Sequence, residues 1–154
     1  MESSTLNAIG IWFYAKDTKR YLFLLRNDPK HPGTWGLPGG KLEKDESLLG
    51  ALTRECIEEL GSCPETEKII PIEKFTSADN HFVYHTFFGI VSTEFTPILN
   101  DEHYGYAWID KNTIPRPLHP GLWSTINIDE IKQKIDDLEF RVLELEIRTE
   151  ENEE

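Results

Sequence analysis

Gly40 to Ser62 reads GKLEKDESLLGALTRECIEELGS. Leu49, Leu52, Cys56 and Leu60 recur at steps of three and four, the spacing of one helical face. Gly61 falls where a helix C-terminal cap belongs, and Pro64 bars continuation. Glu55, Glu58 and Glu59 stand at i, i+3 and i+4, so a helix places them on neighbouring turns of one face, away from the apolar stripe. Arg54 is the one basic residue between Lys44 and Lys68. Three carboxylates so gathered repel one another unless water screens them or a cation neutralises them. Hard oxygen ligands suit Mg²⁺ or Mn²⁺ rather than zinc. The loop just before, Gly36-Leu37-Pro38-Gly39-Gly40, exposes backbone, and Gly39 is placed to offer its carbonyl to a metal. Metal, loop and carboxylates together suit phosphoryl or nucleotidyl transfer to water. An acidic helix face is ordinarily just a solvated face, because Glu is a good helix former. Spacing and charge alone therefore lead to a cation-binding acidic helix and no further.

The same stretch resembles the box of the Nudix hydrolase family. The pattern is Gly, five residues, Glu, seven residues, Arg-Glu, an apolar residue, any residue, Glu-Glu, any residue, Gly and a final aliphatic. Gly40, Glu46, Arg54, Glu55, Cys56, Glu58, Glu59 and Gly61 fill it, and Ser62 is the one departure. Trp35-Gly36-Leu37-Pro38-Gly39 also looks like the family. The resemblance implies an α/β (α+β) fold with a mixed β-sheet sandwiched between helices. It implies a Mg²⁺-dependent pyrophosphohydrolase, with Glu55, Glu58 and Glu59 as metal ligands assisted by the Gly39 carbonyl. Arg54 would orient the glutamates, with Glu46 as its partner. The water-activating base would be Glu59, or a glutamate in a later loop a few residues before a Trp-bearing strand. Glu102, six residues before Trp108, fits that place and is a further metal-ligand candidate, and Glu94 is a weaker alternative.

Around this segment, Ala8 to Tyr14 and Tyr21 to Leu25 read as a hairpin of two strands, and Arg26 to Gly40 as a loop. Ile69 to Phe75, Phe82 to Val91 and Tyr104 to Ile109 read as further strands. Pro115, Pro117 and Pro120 mark an irregular loop, either a wall of the site or a connector. A C-terminal helix over 127–148 is expected, opened by Asn127 and Glu130 in the manner of a capping box. Its stripe of Ile128, Ile131, Ile135, Leu138, Val142 and Leu145 is heptad-like, giving either core packing or a homodimer seam. Residues 149–154 read as a frayed acidic tail, and residues 1–154 as one domain.

The formal charge of −12 argues against binding a nucleic-acid polymer. Residues 129–154 hold eleven of the 28 acids and four of the 16 bases, so the acidity is mostly C-terminal. The chain lacks a run of about 18 apolar residues or a signal-like start, and its two cysteines are too few for a disulfide framework. The expectation is a cytoplasmic protein that neither spans nor binds a membrane. Arg26, Lys41, Phe82 and Tyr84 are the candidates for binding a small nucleotide-like substrate, with Trp123 a further stacking candidate. The leading substrate is a nucleoside diphosphate linked to a second moiety, of the ADP-ribose or dinucleotide kind. An oxidised nucleoside triphosphate is the alternative, and a nucleotide-binding regulator without hydrolysis is the alternative of another class.

Overall fold

The computed structural model describes residues 5–153, and the side chains of 5–149. The chain divides into two compact units, Met1–His119 and Pro120–Glu154. The sheet hydrogen bonds close within the first unit, and the proline-rich run carries no ladder past His119.

In the first unit seven strands form one sheet: β1 (Leu6–Ala15), β2 (Arg20–Arg26), β3 (Trp35–Gly36), β4 (Gly39–Lys41), β5 (Lys68–Thr76), β6 (Phe82–Val91) and β7 (His103–Ile109). The order is β3-β2-β1-β6-β5, with β4 added to β1 and β7 added to β2. β1 and β6 run parallel, from Leu6 beside Phe82 to Ala15 beside Val91. The other pairings are antiparallel, so the sheet is mixed. The second edge of β1 is divided: Ala8 to Gly10 pair with β4, and Tyr14 and Ala15 with β2. Between them the Ile11 amide donates to the Pro38 carbonyl at 3.1 Å. This divided edge draws the glycine loop against the middle of the sheet. The segment 26–40 is thus not all loop; β3 and β4 are too short to show a two-residue alternation.

Helix α1 (Leu48–Leu60) begins at Ser47, whose hydroxyl accepts from the Gly50 amide at 3.0 Å, a cap worth about 1 kcal/mol. It ends at Gly61 in the left-handed region, φ 86°. Its Ala51, Leu52, Cys56 and Leu60 pack on Ile9, Ile11, Phe13, Leu22, Leu24 and Phe87. Burying each large aliphatic here contributes roughly 1.5–3 kcal/mol. Leu49 is 56% exposed and lies outside the stripe assigned to it; Leu48 takes the position against the core. Ser62 is exposed, so the irregular position of the box leaves no gap beneath the helix. There the Ile98 amide donates to the Leu60 carbonyl at 2.9 Å. On the opposite face of the sheet, Trp12, Tyr14, Tyr21, Phe23 and Phe88 meet in a network of edge-on and tilted ring contacts.

The second unit holds α2 (Pro120–Ile126) and α3 (Asp129–Glu153). The proline run does not announce α2, yet Pro120 sits at its first position, where a missing N–H costs nothing. The capping box does not form. The Asn127 side-chain amide donates back to the Trp123 carbonyl at 2.8 Å, closing α2. α3 then starts at Asp129, with Asp129 and Glu130 in the first turn, where negative charge suits the helix dipole. It continues to Glu153 instead of fraying after 148. Glu and Arg favour helix, and Arg148 pairs with Glu144 one turn back at 2.8 Å. Glu154 lies outside the described residues. Of the predicted stripe, Ile131, Ile135 and Val142 are buried, while Ile128 and Leu145 are exposed. A second apolar row, Phe140, Leu143 and Ile147, is exposed. No helix among the described residues is long and apolar enough to cross a membrane.

Candidate active site

The box glutamates do not share one solvated face. Glu55 and Glu59 border the buried stripe of α1 and are 8% and 1% exposed, whereas Glu58 has half its side chain exposed. An alternation of polar and apolar residues does not disclose this, because it assigns acids to water. Gly40, which opens the box, and Gly39 just before it explain how two carboxylates fit. Gly39 has φ 148°, and a Cβ there would collide with the Ile9 carbonyl. A Cβ on Gly40 would stand 2.5 Å from the Glu55 carboxylate. The Gly39 amide donates to Glu59 Oε1 at 3.2 Å, and Glu59 Oε2 is buried with no hydrogen-bond partner.

Burial raises the Glu59 pKa well above the carboxylate range, and the Glu55 carboxyl beside it adds to the shift, as does the charge of Glu102. Burial likewise raises Glu55, against the pull of its bonds to Glu59 and Arg54. Two adjoining buried carboxylates cannot both stay ionised without compensation: they share a proton or take up a cation.

Arg54 is the organiser of the helix's outer side. Its Nε and Nη2 donate to the two Glu46 oxygens at 2.8 and 2.9 Å, its Nη1 to Glu55 at 3.0 Å, and its Nη2 also to the Lys41 carbonyl at 2.9 Å. The two-pronged bond to Arg54, with the Glu43 amide, holds Glu46 down at about 2. Glu58 is only loosely attached, at 3.3 Å from Nη1. Among the described residues no three His, Cys, Asp or Glu groups converge closely enough to hold a metal as they stand. Glu55 and Glu58 both accept from Arg54 Nη1, Glu55 the more closely.

Glu102 is exposed on the loop before β7. Its carbonyl accepts from the Asn27 amide at 2.8 Å, and its own amide donates to the Asn100 side chain at 3.1 Å, so the loop is fixed. Glu94 is instead committed to a two-pronged pair with Arg20, at 2.7 and 2.8 Å.

His103, absent from the sequence-based candidates, begins β7 opposite Arg26 of β2. Its Nε2 stands 3.6 Å from Glu59 Oε2, its Nδ1 is buried with no hydrogen-bond partner, and burial lowers its pKa to about 4. The imidazole is therefore neutral at pH 7. Only its place directly after Glu102 could have drawn attention to it. Arg26 pairs with Asp28 at 2.6 Å. Tyr84 places its hydroxyl over Gly10, and its phenol is raised by burial and then by Glu59, which puts it beside the carboxylates. The Phe82 and Tyr84 rings stack on each other, 6.3 Å apart. Lys41 is exposed, and Trp123 belongs to the second unit, where it is 60% exposed.

The NUDIX domain family model matches residues 5–127. The chain is 31% identical over 94 residues to the putative 8-oxo-dGTP diphosphatase 3 of Mycobacterium tuberculosis, an alignment covering 58% of this chain and 43% of that protein. It is 35% identical over 88 residues to the nucleoside triphosphatase NudI of Salmonella arizonae, covering 51% of this chain and 62% of that one. The chain thus spans 43% and 62% of the lengths of these two curated relatives. Among solved structures, the MutT protein from Methanosarcina mazei Go1 superposes with a TM-score of 0.63 at 22% identity, covering 89% of this chain and 97% of that one. The NUDIX domain of Shewanella oneidensis NrtR, complexed with ADP ribose, superposes at 0.68 and 17% identity, covering 88% and 90%. At these identities the structural likeness establishes a shared α+β fold.

Proposed function

The chain belongs to the NUDIX domain family, and from that premise we propose that it is a divalent-cation-dependent hydrolase cleaving the diphosphate bond of a small nucleotide. The observation that carries this reading is the buried Glu55 and Glu59 pair, with its unpartnered Glu59 oxygen beside backbone that only glycine leaves open. Such a donor set fits a hard cation. Glu55, Glu58, Glu59 and the Gly39 carbonyl would hold Mg²⁺ or Mn²⁺, which when bound offsets the charge that develops on the phosphate oxygens. Glu58 joins by exchanging its long bond to Arg54. Arg54, tied to Glu46, is a positioning residue that fixes the orientation of Glu55.

Glu102 accepts the proton of the attacking water: it is open to solvent, its backbone is pinned, and its charge reaches Glu59. Glu102→Gln then lowers kcat about 10²-fold with metal binding retained. A loss below about threefold returns the role to Glu59. Arg26, Lys41, Phe82 and Tyr84 would contact the rest of the substrate. The sequence reading favours a linked nucleoside diphosphate of the ADP-ribose kind; the names of the two curated relatives favour a nucleoside triphosphate. A panel of both classes with Mg²⁺ and with EDTA, products identified by mass, tests the reading. Turnover of at least one nucleotide that EDTA abolishes is expected. Tight binding without turnover would make the chain a nucleotide-binding module instead. A homodimer seam on α3 is part of the same reading, and sizing of a chain ended after Ile135 removes it if the oligomeric state is unchanged.

A further inference from the structure

Three of the five histidines lie around Arg26, and they are not alike. The rings of His31 and His119 meet edge to face, centroids 4.6 Å apart. A backbone zipper brings them together: the Trp35 amide donates to the Pro117 carbonyl and the His119 amide to the Trp35 carbonyl, each at 2.8 Å. His103 instead faces Glu59. A slip in register sets its direction. β2 and β7 pair Leu24 with Tyr106 and Leu25 with Gly105, so an unbroken ladder would next set Arg26 against Tyr104; Arg26 meets His103 instead. Successive residues of a strand face opposite sides, and such a slip exchanges which of two neighbours turns inward. Tyr104 is 64% exposed, whereas the His103 side chain is 9% exposed.

Glu59 lacks what this imidazole offers. Arg54 donates to Glu46, Glu55 and Glu58. Glu59 has the Gly39 amide on Oε1, and its Oε2 is buried with no hydrogen-bond partner. His103 Nε2 stands 3.6 Å from that oxygen. The distance exceeds a hydrogen bond, and a closure of about 0.5 Å makes one. The proton for it is at hand. Nδ1 is buried with no hydrogen-bond partner, so a neutral ring holds its proton better on Nε2, and a charged ring carries one there as well. The backbone beside the ring is pinned: the His103 amide donates to the Asn100 carbonyl at 3.3 Å, and the Glu102 carbonyl accepts from the Asn27 amide at 2.8 Å.

We propose that His103 is a positioning residue for the cation site: its Nε2–H holds Oε2 of Glu59 while the Gly39 amide holds Oε1, so that the carboxylate is turned and kept ready for the cation. The assignment rests on the cation site proposed above and adds to it a residue outside the box. Each carboxylate oxygen has two lone pairs, so one donor on each leaves the other lone pair for a metal. The two donors come from β4 and β7, both strands of the sheet, which fixes them against each other. Arg54 orients Glu55 from the outer side of α1, and His103 orients Glu59 from the side of the sheet.

Titration of the full chain with Mn²⁺, read by the electron paramagnetic resonance of the free ion and without nucleotide, tests the assignment without turnover. Binding that Glu59→Gln abolishes belongs to the site, and the wild type is expected to show it. His103→Phe, which keeps a ring and loses the donor, should weaken that binding about 10- to 100-fold. His103→Gln carries an amide N–H near the place of Nε2 and should stay within about threefold of the wild type. His103→Asn carries one near the place of Nδ1 and should fall with His103→Phe. A packing role alone would leave His103→Gln no better than His103→Asn. If His103→Phe melts early in EDTA, His103→Gln and His103→Asn, alike in chemistry, carry the measurement. In nitrogen NMR spectra the His103 Nε2 signal, identified by its loss in His103→Gln, should be that of a protonated nitrogen and should move when Mg²⁺ is added. Equal binding by the wild type and all His103 variants overturns the assignment. So does His103→Gln binding as weakly as His103→Phe, or an Nε2 that bears no proton. A wild type without binding that Glu59→Gln abolishes overturns the cation-site reading itself, and this assignment with it.

Discussion

Helices α1 and α3 are both rich in acids, and they place those acids in different surroundings. On α3 none of the acids with described side chains is buried, and Glu144 sits in an exposed pair with Arg148. On α1, Glu55 and Glu59 are pressed against the sheet, and one Glu59 oxygen has no hydrogen-bond partner. α3 holds more acids in its 25 residues than α1 holds in its 13. The number of carboxylates is therefore no guide to chemistry. What distinguishes α1 is burial of two carboxylates that Arg54 and the Gly39 amide compensate only in part, which costs stability unless a proton or ligand offsets the remaining charge.

The largest effect that would separate the two helices is on turnover. Glu59→Gln should lower kcat about 10²- to 10³-fold. Its melting temperature without divalent ions should rise at the same time, by about 2–4 °C for each kcal/mol of relieved strain. A variant that loses activity by unfolding would show the opposite thermal shift, and near-normal turnover would break the comparison outright.

A middle-sized effect is on the pH dependence of stability. The folded-state pKa values of Glu55 and Glu59 are raised, so the folded chain holds extra proton there. The stability these groups contribute is full below an unfolded carboxylate value of about 4.3 and is lost as pH rises through the raised folded values. Thermal melts in EDTA should therefore fall over that window, and Mg²⁺ should flatten the fall. An identical slope with and without Mg²⁺ would sever the carboxylate pair from cation binding. The smallest effect belongs to α3, where Glu144→Gln should change stability by no more than about 0.5 kcal/mol and leave turnover alone.

α1 was legible because its 13 residues repeat the helical period and carry the box spacing. The strands rich in aromatic and β-branched residues were legible too, β6 to its ends. β3 and β4 were not, since two or three residues show no period. α2 was hidden by the prolines before it, although Pro120 is well suited to open a helix. The candidate site was legible in part. Spacing gathered Glu55, Glu58 and Glu59 and the family resemblance added Arg54, but the burial of Glu55 and Glu59 follows from the sheet they meet. His31 and His119 come together through backbone bonds at Trp35, and nothing in their local sequences joins them.

The Trp35 zipper also has a consequence for how the molecule comes into being. Trp35 is laid down early in synthesis, while its partners Pro117 and His119 come at the close of the first unit. Such distant pairings pay loop-closure entropy before any contact rewards them, as do those of β1 with β6 and β2 with β7. The helix of carboxylates can organise on strands already made. The histidine pair needs His119 to have been made, so a nascent chain stalled short of Leu118 would hold the box helix complete and His31 without its ring partner.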